Sequence, residues 1–323
     1  MKKIQILIDP SHKNWILGGM FSEVAESSPD FFLSPKIVLK IRNFKSPIVF
    51  LRVIKLIAQK RTLFFSSITP LENFLKFALF NSNKKILWFT HQFGEISEKS
   101  VSLLNKVDLI FVHSTQEKVF LRNNGVMCPI IPLIGAIKPE LFSKPNLTGH
   151  KIAFIGSPTK RKNVDIFLKF VGENPQFQFK VLGRNWKKHE IWAASANLKN
   201  LEYIEIEKQI TCDDLTDCSH HLILSSKEGG PISLIESVAS GLIPITTRTG
   251  IAEEFLSECG YLNQIIDSPV DFDEIKIKLK TLYSDDQRKS AAKKALEYST
   301  SRFSLNLKYE IIKNLSILKT ANS

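Results

Sequence analysis

The sequence predicts an α/β fold with two parallel sheets, each covered by helices on both faces. Three observations carry this. Strand-length runs are apolar throughout instead of alternating, which marks strands buried on both sides. Segments of helical period separate them. The pattern also runs twice, with a polar break carrying Pro and Gly, Lys144-Pro-Asn-Leu-Thr-Gly-His150, between the two series.

The first series opens with a strand at Ile4–Ile8 and a helix over Gly18–Glu26. Ile37–Leu39, Leu63–Phe65, Ile86–Phe89 and Leu109–Val112 are its further strands. The second series holds Lys151–Gly156, Phe179–Gly183, Leu201–Ile206, Leu222–Leu224 and Ile243–Thr246. Beyond about Asp267 the pattern is helical, over Val270–Tyr283, Asp286–Ser299 and Ser304–Leu318. Two such series imply two Rossmann-like domains, 1–147 and 148–302, followed by a terminal helical segment, 303–323.

A chain of 323 residues with 43% hydrophobic and 24% charged residues can build two cores. No apolar run reaches the roughly 20 residues that span a bilayer. The basic-then-apolar start, Met1 to Asp9, is too short for a signal-peptide core and reads as the first buried strand. Cys128, Cys212, Cys218 and Cys259 show no Cys-x-x-Cys spacing, so reduced thiols in the cytoplasm and no metal centre are expected. The net charge of +12 is uneven. Residues 1–149 hold about 20 Lys/Arg against about 10 Asp/Glu, which leaves about +2 for the rest. A basic first domain suggests an anionic partner. No recognition helix, zinc finger or aromatic RNA-binding signature is present, so nucleic acid is excluded as the partner. The segment Pro47–Arg61, with Arg52, Lys55 and Gln59 on one helical face, reads as a helix packed on the first sheet, or as peripheral contact with an anionic membrane at its inner face.

The stretch Ser225–Thr247 carries the chemistry. Pro231 suits a first helical position and Gly241 the position just past the end, with Ile232, Ile235 and Val238 spaced to face a sheet. The stretch is therefore strand, glycine-rich loop and helix. Around Gly230, Pro231, Ile232 and Ser233 the unpaired backbone N–H groups, together with the helix dipole, make an anion site. Gly229 and Gly230 leave room for a phosphate to approach. Glu236, inside the helix, is placed to accept hydrogen bonds from ribose hydroxyls, and Glu228, in the loop, from an attached polyol. Such an arrangement reads a nucleotide sugar.

Glu228-Gly229-Gly230-Pro231 and Glu236, followed by Ser240-Gly241 and Pro244 and preceded by Ser225, resemble the E-x7-E motif of retaining GT-B glycosyltransferases of the family 4 type. Other pieces fit in order. Gly18-Gly19 ahead of a helix resembles the family's N-terminal glycine loop, and "FTHQFG", with His91, its N-domain histidine segment. "VDLIFVHSTQEKVFL", then Gly125 and "PLIGAIKPELF", resembles the last strands and the lead into the linker. "IGSPTKRKN" resembles the second domain's opening motif, with Gly156 at its glycine and Lys162 at its phosphate-binding lysine. Ser157 stands where that motif has Arg, with Arg161 or Lys160 as the neighbouring substitute. "VLGRNW" keeps Gly183 but not a second glycine, and Glu205-Ile206-Glu207-Lys208 replaces the usual glycine before the nucleobase loop.

The resemblance implies a GT-B architecture, with two Rossmann-like domains facing a central cleft, the donor held mainly by the second and the acceptor at the first. It implies that the terminal helix returns to the first domain. The implied reaction moves a sugar from a nucleoside diphosphate sugar to a glycan or lipid-linked acceptor, in surface polysaccharide or glycolipid synthesis, with retention. Glu228, His91 and Lys162 are the expected catalytic residues. Glu236, Gly229, Gly230, Pro231, Ile232, Ser233, Arg161, Gly156, Gly18 and Gly19 are expected to bind the donor. No cofactor beyond that donor and no metal is expected, because cationic side chains and backbone N–H groups can stabilise the diphosphate. Asp213-Asp214 and Asp285-Asp286 read as helix caps instead of metal ligands. His220-His221 read as structural. The alternatives are a catalytically inactive nucleotide-sugar-binding subunit and a GT-B nucleotide-sugar epimerase.

Overall fold

The structure is a computed structural model. The residues described are 4–7, 31–33, 54, 58, 62–77, 83–89, 96–133, 137–142, 144–195, 197–206, 210–267 and 269–303. Gly18, Gly19, His91, the helix expected over Gly18–Glu26, the strand expected at Ile37–Leu39 and the segment Ser304–Leu318 lie outside them. So does Pro47–Arg61 apart from Ile54 and Ala58, which are helical. The described residues fall into two compact units, one up to Gly135 and one from Ala136 to Ser304.

The first unit is a six-stranded sheet of β1 (Ile4–Leu7), β2 (Phe31–Leu33), β3 (Thr62–Phe65), β4 (Lys85–Trp88), β5 (Leu109–Val112) and β6 (Ile130–Pro132). The strands run parallel in the order β2-β1-β3-β4-β5-β6. Full burial of β1, β3 and β5 explains why their sequences are apolar without alternation. Phe65, Leu87, Phe89, Ile110 and Val112 join Leu71 and Phe74 of helix α1 (Ile68–Phe77) in one core. Ser97 and Ser114 cap helices α2 (Glu98–Leu104) and α3 (Thr115–Asn123) by accepting from the amides of Ser100 and Glu117. β6 was not expected as a separate strand. It is three residues long and ends in Pro132, which suits an edge strand.

The second unit repeats the plan with β7 (Lys151–Ile155), β8 (Phe179–Gly183), β9 (Leu201–Glu205), β10 (Cys218–Ile223), β11 (Ile243–Thr247) and β12 (Ile265–Ile266). Their order is β12-β11-β10-β7-β8-β9, again parallel. The chain winds outward from β7 to β9, then returns to place β10 on the other side of β7. The carboxyl ends of β7 and β10 therefore flank a topological switch point, where open α/β sheets bind ligands.

The division between units falls before the Lys144–His150 segment. Ile137 and Phe142 are buried, Ile137 donates its amide to Ser299 Oγ, and the 3-10 turn Pro139–Phe142 packs on helix α9 (Asp285–Phe303). These apolar residues tie the linker to the second core.

Two sequence expectations shift for physical reasons. β10 begins at Cys218, four residues before the expected Leu222. Its polar residues hide it from an apolar pattern, because Ser219 Oγ bonds His220 Nδ1 and His221 Nδ1 bonds Ser237 Oγ inside the fold. Helix α9 is not capped by Asp285 or Asp286. Ser284 and Gln287 form a reciprocal capping box, and the two aspartates occupy the first turn, where the dipole favours them. Nor do Asp213 and Asp214 cap: they lie inside the 3-10 turn Asp213–Leu215, whose N-cap is Cys212, and the Asp214 carboxylate accepts from the amide and the hydroxyl of Thr211 just ahead of it.

Candidate functional site

Two loops meet at the switch point. One follows β7 and contains Gly156 and the 3-10 turn Lys160–Lys162. The other follows β10 and runs through Ser225 to Pro231 into helix α6 (Ile232–Ala239). Backbone and side-chain bonds fasten them together. Ser226 donates its amide to the Arg161 carbonyl at 2.8 Å. Asn163, in the left-handed region at φ 50°, donates Nδ2 to the Leu224 carbonyl at 2.8 Å. Asn tolerates that conformation, so it both ends the basic turn and opens helix α4 (Val164–Glu173).

The carboxylate of Glu228 lies in the middle of this junction. Lys162 Nζ is 3.0 Å from Oε1, Arg161 Nη1 pairs with Oε2, and Ser225 Oγ donates to Oε1 at 2.9 Å. Only 3% of Glu228 is exposed. Burial acts to raise its pKa, but the charges of Lys162 and Arg161 outweigh it and hold the carboxyl at about 2. A buried anion flanked by two cations is thus kept ionised at neutral pH. Arg161, and not Lys160, supplies the second cation paired with Glu228. Arg161 also donates to the Lys227 carbonyl, while Lys160 is exposed.

The loop is supported from beneath. Gly250, at φ +58°, lies against Gly229, and a Cβ there would stand 2.3 Å from the Gly229 carbonyl oxygen. Thr247 Oγ1 donates to the Ser225 carbonyl at 2.5 Å. Neither Thr247 nor Gly250 stood out in the sequence, although Thr-Gly after an apolar strand is a turn signal.

Helix α6 starts one residue later than expected. Pro231 is its N-cap and offers no side-chain hydrogen bond to the first-turn amides, and Ile232 is the first helical residue. Gly229, Gly230, Pro231 and Ile232 are buried and Ser233 is half-buried. Gly241 ends the helix at φ +88°, as its position implied. The helix is buried beyond the expected Ile232, Ile235 and Val238 face, because α9 packs along its other side. Glu236, in the second turn, is 2% exposed. Glutamate is seldom buried this deeply. His221 beneath the helix is pushed down to about 3, first by burial and then by the Lys162 charge, so it is neutral and structural.

Gly156, Arg161, Lys162, Glu228 and the start of α6 are therefore brought to one end of the second sheet. His91, Gly18 and Gly19 belong to the undescribed residues, and no placement is assigned to them. Among the described residues no group of three or more His, Cys, Asp or Glu side chains is placed to hold a metal ion.

The family model of glycosyl transferases group 1 matches residues 138–298. Solved structures of GT-B proteins superpose over nearly the whole chain. Sucrose-phosphate synthase (tll1590) from Thermosynechococcus elongatus is similar with a TM-score of 0.73 at 13% identity, covering 100% of both chains. Anabaena Alr3699/HepE in complex with UDP-glucose is similar with a TM-score of 0.76 at 12% identity, covering 98% of this chain and 100% of that one. A glycosyltransferase from Rickettsia africae ESF-5 is similar with a TM-score of 0.68 at 17% identity, covering 98% and 97%. No curated protein matches the sequence. Two parallel sheets of Rossmann type, these neighbours and a family match spanning most of the second unit show that the chain has the GT-B fold and that residues 138–298 carry the pattern of the glycosyl transferases group 1 family.

Proposed function

We propose that the protein transfers a sugar from a nucleoside diphosphate sugar to a glycan or lipid-linked acceptor, with retention of anomeric configuration and without a metal. The observation that carries the reading is the buried Glu228 carboxylate held between Lys162 and Arg161 at the switch point, eight residues ahead of the buried Glu236. The group 1 match and a neighbour's complex with UDP-glucose support it.

In this reading Glu236 grips the ribose and the first turn of α6 faces the diphosphate. Lys162 and Arg161 stabilise the charge that grows on the diphosphate as its bond to the sugar carbon breaks. Glu228 orients the sugar hydroxyls, with His91 and the Gly18-Gly19 loop as further donor contacts from the first unit. The acceptor oxygen bonds the same face of that carbon, and its proton passes to the departing phosphate oxygen. No protein base is then required. Surface polysaccharide or glycolipid synthesis is the pathway class proposed.

The test is a panel of nucleotide sugars scored for both transfer and hydrolysis. Turnover of at least one donor to a retained product is expected. Nucleoside diphosphate binding without turnover would point to an inactive binding subunit, and interconversion of the sugar without transfer would point to an epimerase.

A further inference from the structure

The Lys162 side chain does not point freely into the site. It lies along Gly156, whose φ is +137°, and a Cβ on that glycine would stand 2.7 Å from Lys162 Cε and 3.1 Å from Nζ. The Gly156 backbone is thus the wall that aims the ammonium. What holds that wall is Trp186, the last residue of the "VLGRNW" segment and not among the expected site residues. Gly156 donates its amide to the Leu182 carbonyl at 2.8 Å and accepts at its own carbonyl from Trp186 Nε1 at 2.7 Å.

Trp186 is well placed to fix it. It opens a 3-10 turn, Trp186–Lys188, just after β8, reached through Asn185 at φ 64°. It is fully buried, with its ring edge-on to Phe154 at 5.6 Å and to Trp192 at 6.4 Å. The approach depends on Gly183, where a Cβ would stand 2.1 Å from the Gly156 carbonyl oxygen and 2.9 Å from Trp186 Nε1. The indole is therefore locked by packing, and its one polar atom is directed at one carbonyl. Trp carries a large apolar body and a single donor, so it can be buried at no polar cost only where such an acceptor exists.

We infer that Trp186 is a positioning residue for the diphosphate site: through the Gly156 carbonyl it sets where Lys162 holds its charge. The inference rests on the reading of Lys162 as a diphosphate ligand. In Trp186→Phe a smaller aromatic ring remains and the donor is lost. The Gly156 peptide is then free to turn, and Lys162 loses its fixed aim.

The experiment is calorimetric titration of wild type, Trp186→Phe and Trp192→Phe with UDP, and with GDP, dTDP, ADP and CDP where UDP gives no heat, well below each protein's melting temperature. Donor KM and kcat are measured alongside. Trp186→Phe is expected to weaken nucleoside diphosphate binding about tenfold, the size of one lost hydrogen bond, and to lower kcat as well. Trp192→Phe, which alters the same aromatic cluster one ring further from Gly156, is expected to leave affinity unchanged. Equal affinity and kinetics in Trp186→Phe and wild type, with only a lower melting temperature, would overturn the inference and leave the functional reading standing. No binding of any of the five by wild type would overturn both. Should Trp186→Phe fail to fold, ¹⁵N-indole spectra of the wild type replace it. The four tryptophans, Trp15, Trp88, Trp186 and Trp192, are assigned by single replacement of the other three. The Trp186 signal is expected to shift on saturation with the nucleotide, and an unmoved signal would overturn the inference.

Discussion

Glu228 and Lys162 form a buried ion pair, Nζ to Oε1 at 3.0 Å, and Arg161 closes it from the other carboxylate oxygen. The two cations proposed for the diphosphate are thus already paired with one carboxylate of the protein, which offsets one of their two charges. In the proposed reaction a phosphate entering here shares them with Glu228, which is freed in part toward the sugar. Glu228→Gln keeps the shape and removes the competing charge. It is expected to bind free UDP at least as tightly as wild type while kcat falls about a hundredfold, in the range seen for lost transition-state electrostatics. The pair also has a pH signature. The folded carboxyl is held at about 2, below its ordinary 4.5, so its stabilising contribution is complete above about pH 4.5 and is lost as pH falls toward 2. Denaturant midpoints of wild type and Glu228→Gln should converge across that window. Parallel curves would show that the ion pair does not contribute to stability.

Arg288 should matter for stability and not for chemistry. It is 7% exposed and donates to the carbonyls of Gly241 at 2.9 Å and Leu147 at 2.7 Å, joining α9 to the C-terminus of α6 and to the linker. Arg288→Ala leaves those carbonyls unpaired at the negative end of a helix. A loss of roughly 2–4 kcal/mol is expected from calorimetric melting, with donor KM and kcat near wild type at a temperature where the variant is folded.

Metal independence is proposed because two cations and a helix start lie at the proposed diphosphate site. Activity is expected to survive excess EDTA. Abolition by the chelator with rescue by Mg²⁺ or Mn²⁺ would assign the charge stabilisation to a metal instead.

The basic excess of the first half of the chain motivates a membrane prediction. The contact proposed is peripheral; among the described residues no helix is long and apolar enough to cross a bilayer. Co-sedimentation with anionic vesicles is expected at low salt and should fade as salt screens it. Equal binding to neutral vesicles, or none at low salt, would remove the proposal.

Much of the fold was legible because parallel strands buried on both faces are apolar without interruption. Leu109–Val112 and Phe179–Gly183 match their strands end to end. β10 was half hidden, since its polar residues are bonded in two separate pairs, Ser219 with His220 and His221 with Ser237. The short edge strands β6 and β12 left no periodic signal. At the proposed site, Glu228 and Glu236 were visible through their spacing to glycine and proline, and Lys162 through the resemblance of "IGSPTKRKN" to a family motif. Trp186, Asn163 and Gly250 were not, because they act on backbone atoms of residues distant in sequence. That Arg161 and not Lys160 pairs with Glu228 needed geometry, as adjacent basic residues on a turn point in different directions.

The most direct test of the donor site is titration of the wild type, Glu236→Ala and Lys162→Ala with the nucleoside diphosphate that binds best among UDP, GDP, dTDP, ADP and CDP. Charge-assisted hydrogen bonds contribute about 1.5–3 kcal/mol each, so each variant is expected to bind at least about tenfold more weakly. Glu236→Ala should also raise donor KM more than it lowers kcat, because ribose does not change during the reaction. Wild-type affinity in both variants would contradict the placement of the donor between Glu236 and Lys162.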